Sequence, residues 1–101
     1  MEVICINDIF EGEAGVFFKT HGVITPIKDT VYSIREIVTH SKGKTGIRLN
    51  EIVNHPVPQV HPILGNIKME PSFDYTRFSL LNGDQLTEKV LTKFKKTLVN
   101  V

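Results

Sequence analysis

The stretch from Tyr32 to Asn54 constrains this chain most, because it reads as strand, tight polar turn and strand. Tyr32, Ile34 and Val38 fall at even spacing, with Ser33, Arg35 and Thr39 between them, the period-two pattern of a half-buried strand. Ile37 breaks the alternation and Glu36 lands on the apolar side, so a β-bulge is expected near Glu36-Ile37. On the returning strand Ile47 and Leu49 share a face. Ile52 has the opposite parity, which places an irregularity or the strand's end near Glu51. Between the strands, Lys42-Gly43-Lys44 offers a glycine for the positive φ that a tight turn needs.

With 101 residues, the chain has room for one domain with a modest core. A hydrophobic fraction of 41% against 23% charged residues argues for a packed domain rather than disorder. The net charge of +1 gives no global attraction to nucleic acid or anionic membranes, so such a role would need a local patch. Glu2 and a four-residue apolar run, Val3 to Ile6, do not make a signal peptide. No apolar run approaches the ~18–20 residues of a membrane span. The expectation is a cytoplasmic protein with no membrane partner.

Flanking elements follow from local chemistry. Glu2 to Asn7 reads as a first strand, in which the lone Cys5 behaves as a small buried hydrophobe. Ile9 to Thr30 is irregular, with a short strand at Val16-Phe17-Phe18 before a turn at His21-Gly22. At least two of Phe10, Phe17 and Phe18 are expected to pack on the body of the domain. His55 to Pro62 carries three prolines and reads as an extended surface connection, neither helix nor central strand. Ile63 to Met69 can hold a short strand. Phe73 to Leu80 reads as one helical turn over Asp74 to Arg77, then a closing strand from Phe78. After Asn82-Gly83-Asp84 comes a helix whose apolar stripe is Leu86, Val90, Leu91, Phe94 and Leu98, with Asn82–Gln85 or Asp84 as its cap.

The expected fold is mainly β: a small five-stranded SH3-like barrel over residues 1–81, with an amphipathic C-terminal helix over 82–101 packed on it. The segments Val3-Ile4-Cys5-Ile6-Asn7-Asp8, Tyr32 to Ile37, Gly46 to Asn54 and Phe73 to Phe78 also resemble a family of short uncharacterised SH3-like barrel proteins from bacterial and phage genomes. That resemblance implies a fold and a phage-related origin, and no activity. The tryptophan and the Ala-Leu-Tyr-Asp-Tyr-like segment of peptide-binding SH3 domains are missing, so proline-rich peptide recognition is not implied.

No nucleophile–base motif or phosphate-binding glycine loop is present. His55 and His61 are six apart and lack the tight pairing of zinc ligands, so no metal or other cofactor is expected. Glu36 and Glu51 could face each other across the hairpin as paired carboxylates, but arginines at 35, 48 and 77 offer them structural partners. Arg77 reads as a brace tying the one-turn helix to Glu51 or to backbone carbonyls. The chain is therefore expected to be a non-enzymatic binding or adaptor module. Its partner is a protein or a second copy, met through a sheet edge or the helix stripe. Of the two uses of the stripe, capping the open end of the chain's own barrel is preferred to pairing with a second copy. The alternative is nucleic-acid binding through Lys42, Lys44, Lys89, Lys93 and Lys96, a basic set at the hairpin tip and along the helix.

Overall fold

The computed structural model describes residues 1–39, 43–61 and 63–99. In chain order the elements are β1 (Glu2–Cys5), α1 (Gly12–Thr20), β2 (Val31–Thr39), β3 (Thr45–Leu49), β4 (Val57–His61), β5 (Gly65–Met69), β6 (Phe73–Asp74), a one-turn 3-10 helix (Tyr75–Arg77), β7 (Phe78–Leu80) and α2 (Glu88–Val99). The protein is mainly β. Among the described residues, five strands form one sheet in the order β6-β3-β2-β1-β7, and β4 pairs only with β5 in a separate ribbon. All pairings are antiparallel.

The β2–β3 hairpin is the centre of the large sheet. Its register runs Ile34↔Leu49 and then Glu36↔Arg48, which leaves Arg35 as the extra residue of a bulge. The irregularity therefore sits just before Glu36 rather than at Glu36-Ile37. The extra residue flips the parity, so Ile37, opposite Ile47, joins Ile34 on the core side in place of Val38. β3 ends at Leu49, and the bend at Asn50-Glu51 returns Ile52 to the core. Gly43 has φ 77°, as a tight turn demands; His40, Ser41 and Lys42 lie outside the described residues.

Val3, Cys5, Ile47 and Leu49 are fully buried, and Phe78 and Leu91 nearly so. Cys5 and Phe78 are opposite each other across β1 and β7, which places a thiol at the middle of the apolar cluster.

Two segments depart from expectation. Val16-Phe17-Phe18 is not a strand but the middle of α1. The aromatic contacts supply the reason: Phe10, Phe18 and Phe73 meet edge-to-face with ring centroids 5.3–6.1 Å apart, and Phe17 stacks on His21 one turn later at 4.5 Å. Packing of this kind outweighs the few tenths of a kcal/mol by which valine and phenylalanine disfavour a helix. Gly15 sits against the Phe10 carbonyl, where a Cβ would collide with backbone, so this glycine seats the helix instead of breaking it. The second departure is the proline-rich connection, whose Val57–His61 segment is a strand paired with Gly65–Met69. Pro58 is tolerated because each strand of a two-stranded ribbon keeps an open edge, where a missing N–H costs nothing.

The C-terminal helix starts later than its stripe suggests. A bridge between Ser79 and Gln85 and a positive φ at Gly83 keep residues 82–87 out of the helix. Asn82 accepts from the Asp84 amide at 3.0 Å in a local turn. Thr87 is the cap, its hydroxyl accepting from the Val90 amide at 3.3 Å. Leu86 is buried ahead of the helix, Leu91 is buried within it, and Val90 and Phe94 pack against the same cluster. Among the described residues no helix is long and apolar enough to cross a membrane.

Candidate binding surfaces

The basic residues are split by the fold. Lys44, Lys89 and Lys93 are exposed; Lys42 lies outside the described residues, and the side chain of Lys96 does so as well. The Thr45 hydroxyl donates to a Glu88 carboxylate oxygen at 3.2 Å, which brings the start of α2 to the base of the hairpin tip. The surface between Lys44 and Lys89 thus contains an acidic group.

Arg77 and Glu51 have separate partners. Arg77 Nη1 donates to the Ile9 carbonyl at 2.7 Å and the Asn7 carbonyl at 3.3 Å, and the guanidinium lies 3.7 Å over the Phe10 ring. Asp74 caps the turn that carries Arg77, accepting from the Thr76 amide at 2.9 Å. Glu51 accepts from the Ser33 amide at 2.8 Å and the Ser33 hydroxyl at 2.6 Å. Partial burial pushes its pKa up, but these bonds and that of its own amide outweigh it and hold the carboxylate below its usual range.

Glu36 accepts from Arg48 at 2.8 Å. A more enclosed network centres on Glu70, a residue with no local signature in the sequence. Its Oε2 accepts from Arg35 Nη2 at 2.5 Å and from the Asn54 amide at 3.2 Å, while Arg48 Nη2 donates to its carbonyl at 2.8 Å. Asn54 is buried, and its side-chain amide exchanges two hydrogen bonds with the backbone of Ile24, at 2.8 and 3.0 Å. The bulge residue Arg35 is thereby tied through Glu70 and Asn54 to the segment after α1. Burial pushes the Glu70 pKa up, yet the Arg35 and Asn54 hydrogen bonds and the charges of Arg35 and Arg48 bring it below the usual carboxylate range. Glu51 and Glu70 are thus held ionised, the opposite of what a general acid needs.

Cys5 is fully buried, and burial pushes its thiol pKa up, with Asp8 and Asp29 adding to this against an Asn7 hydrogen bond and Arg77. A protonated, enclosed thiol is a poor nucleophile. Cys5 is expected to react with an aromatic disulfide reagent only as fast as the core opens. Absorbance kinetics showing labelling of the folded protein at the rate of the urea-unfolded chain would contradict this placement.

An open apolar recess lies on α1, where the sequence predicts a strand. Gly12, Glu13, Val16, Phe17, Thr20 and His21 line an open trough of about 710 Å³ along the helix. No residue of α1 is buried, and Val16 is 67% exposed. His21 also borders a smaller cavity of about 120 Å³ shared with Asn54 and His55. Among the described residues no three histidine, cysteine or acidic side chains gather as a metal site. The four-residue spacing of Gly12, Val16 and Thr20 is the sequence signal that could have revealed this face, once the segment is read as helical. Comparison of the chain with protein-family models, with curated proteins and with solved structures gives no match.

Proposed function

We propose that this chain is a small non-enzymatic binding module, an SH3-like barrel with an appended helix, that docks another protein on the outer face of α1. The observation that carries the functional half is the trough itself. Single exposed apolar side chains are ordinary, but Val16 and Phe17 lie side by side in one continuous recess. The other two surfaces expected from the sequence are less suited. The stripe of α2 is turned to the core through Leu91, Val90 and Phe94. The edges of the five-stranded sheet are short, β6 having two residues and β7 three, with Gln85 bridged to Ser79 of β7. The barrel half is supported by the strand order β6-β3-β2-β1-β7, the long first connection and the single helical turn before the last strand. Kinship with the bacterial and phage proteins named above belongs to the same proposal.

The test is position-specific crosslinking in the native host. A photoreactive amino acid at position 16 is expected to capture a defined protein, while the same group at Val53, equally exposed at 66%, captures none of it. No adduct at position 16, or the same adducts at both positions, overturns the docking reading.

A second reading, nucleic-acid binding, is favoured by the Thr45–Glu88 contact, which brings the basic hairpin tip and the basic helix together. It requires oligonucleotide retention that weakens steeply with salt and with charge reversal at Lys44, Lys89 and Lys93. Absence of retention at low salt dismisses it.

A further inference from the structure

The face of α1 is patterned as well as apolar. Its lining residues form two rows of side chains four apart, Gly12–Val16–Thr20 and Glu13–Phe17–His21, the ridges by which helices interlock. Within the rows Glu13 stands near the start and His21 at the end, with the uncharged Val16 and Phe17 between them. Outside the lining, Glu11 precedes the helix and Lys19 lies in its last turn, so the helix is acidic at one end and basic at the other. A face of this kind is complementary to its own image turned end for end.

We propose that α1 is the twofold contact of a homodimer, in which the helix of a second copy runs antiparallel along the trough. This rests on the reading of α1 as a docking face and names its occupant. With the twofold axis between Val16 and Phe17, each Glu13 meets the opposite end of the other helix, where Thr20, His21 and Lys19 stand. Gly12, with no side chain, leaves space for the imidazole of the second copy's His21. A foreign partner needs only to match the apolar middle, whereas reversal of charge from one end to the other makes the face complementary to a second, antiparallel copy. Acidic residues at a helix start and basic ones at its end also suit the macrodipole within one chain, so the test must separate the two causes. A helix of nine residues is only about 14 Å long, so the contact is small and the dimer concentration-dependent.

Sedimentation of the full chain from micromolar to millimolar concentration provides the test. The mass is expected to rise from monomer to dimer. Glu13→Lys or Lys19→Glu alone shifts the midpoint about tenfold upward, and the double reversal Glu13→Lys/Lys19→Glu returns it to within about threefold of wild type. The macrodipole alone gives the opposite result, since the double reversal opposes the helix dipole twice. Val16→Glu is expected to abolish association, with Thr20→Glu as the second variant should the first disturb folding by circular dichroism. A monomer throughout, a dimer indifferent to both substitutions, or a double reversal weaker than either single one overturns the dimer. If the chain is monomeric but a photoreactive group at position 16 still captures a different protein, the homodimer fails and the docking face stands. If neither is seen, both fail.

Discussion

Replacing Phe78 by alanine is expected to lower the unfolding free energy by about 3–5 kcal/mol, the range for a buried phenylalanine that leaves a cavity. Phe78 is 1% exposed and sits opposite Cys5, in a cluster with the fully buried Val3, Ile47 and Leu49. These neighbours are strand residues held in the ladders of the five-stranded sheet, Val3 and Ile47 on both sides, so the cavity has little room to collapse. Domains of this kind are stable by only about 5–15 kcal/mol, so the loss is a large fraction of the total and, at the lower end of that range, brings the variant to its unfolding midpoint. Urea denaturation of the variant, beside Val53→Ala as an exposed control, measures the loss. A loss below about 1 kcal/mol would remove Phe78 from the centre of the core.

Removal of the Glu70 charge by Glu70→Gln is expected to cost about 2 kcal/mol at neutral pH, between the values for exposed and buried ion pairs. The Glu70 side chain is 17% exposed and that of Arg35 29%, so solvent screens part of the interaction. The effect should depend on pH in a defined direction. The folded-state pKa of Glu70 lies below its ordinary value, so the unfolded chain binds the proton more readily. The stabilisation is therefore complete above the unfolded carboxylate pKa of about 4.3 and is lost as pH falls through the folded one. Wild type and Glu70→Gln should converge in stability as the solution is acidified below that range. Glu51 is shifted in the same direction and adds to the acid sensitivity of both proteins equally, so the difference between them isolates Glu70. A gap that stays constant from neutral to strongly acidic pH would assign the Glu70 effect to shape rather than to charge.

Elements whose signal is periodic were legible before any fold was known. The alternation of Tyr32 and Ile34, the pair Ile47 and Leu49, and the closing strand at Phe78 all lie where the side-chain period puts them. One helical turn was legible near Asp74 to Arg77, and the structure adds that Asp74 caps it by accepting from the Thr76 amide. The bulge was legible to within a residue, since only the pairing partner shows which of Arg35, Glu36 and Ile37 is supernumerary. The start of α2 was misread because Asn82 and Thr87 are both good caps, and the bridge from Gln85 to Ser79 chooses between them.

The candidate site was less legible than the fold. Lysines can be counted in a sequence, and they drew attention to the hairpin tip and to α2. The α1 trough could not be found that way, because Val16-Phe17-Phe18 has strand-like composition and becomes a helix only against Phe73, more than fifty residues later. The Arg35–Glu70–Asn54 network was invisible for the same reason, as its members are 16 to 35 residues apart.

Residue order alone was enough for a β-rich chain built on one hairpin, closed by a strand after one helical turn and followed by an amphipathic helix. These features rest on periods of two and 3.6 residues and on caps that act within one turn. Tertiary structure decided that the glycine-broken segment is a helix and the proline-rich one a ribbon strand. It also decided which carboxylate meets Arg35 and which apolar face is left to solvent. Local preferences in those segments amount to tenths of a kcal/mol per residue, and contacts between distant aromatic and charged groups are larger.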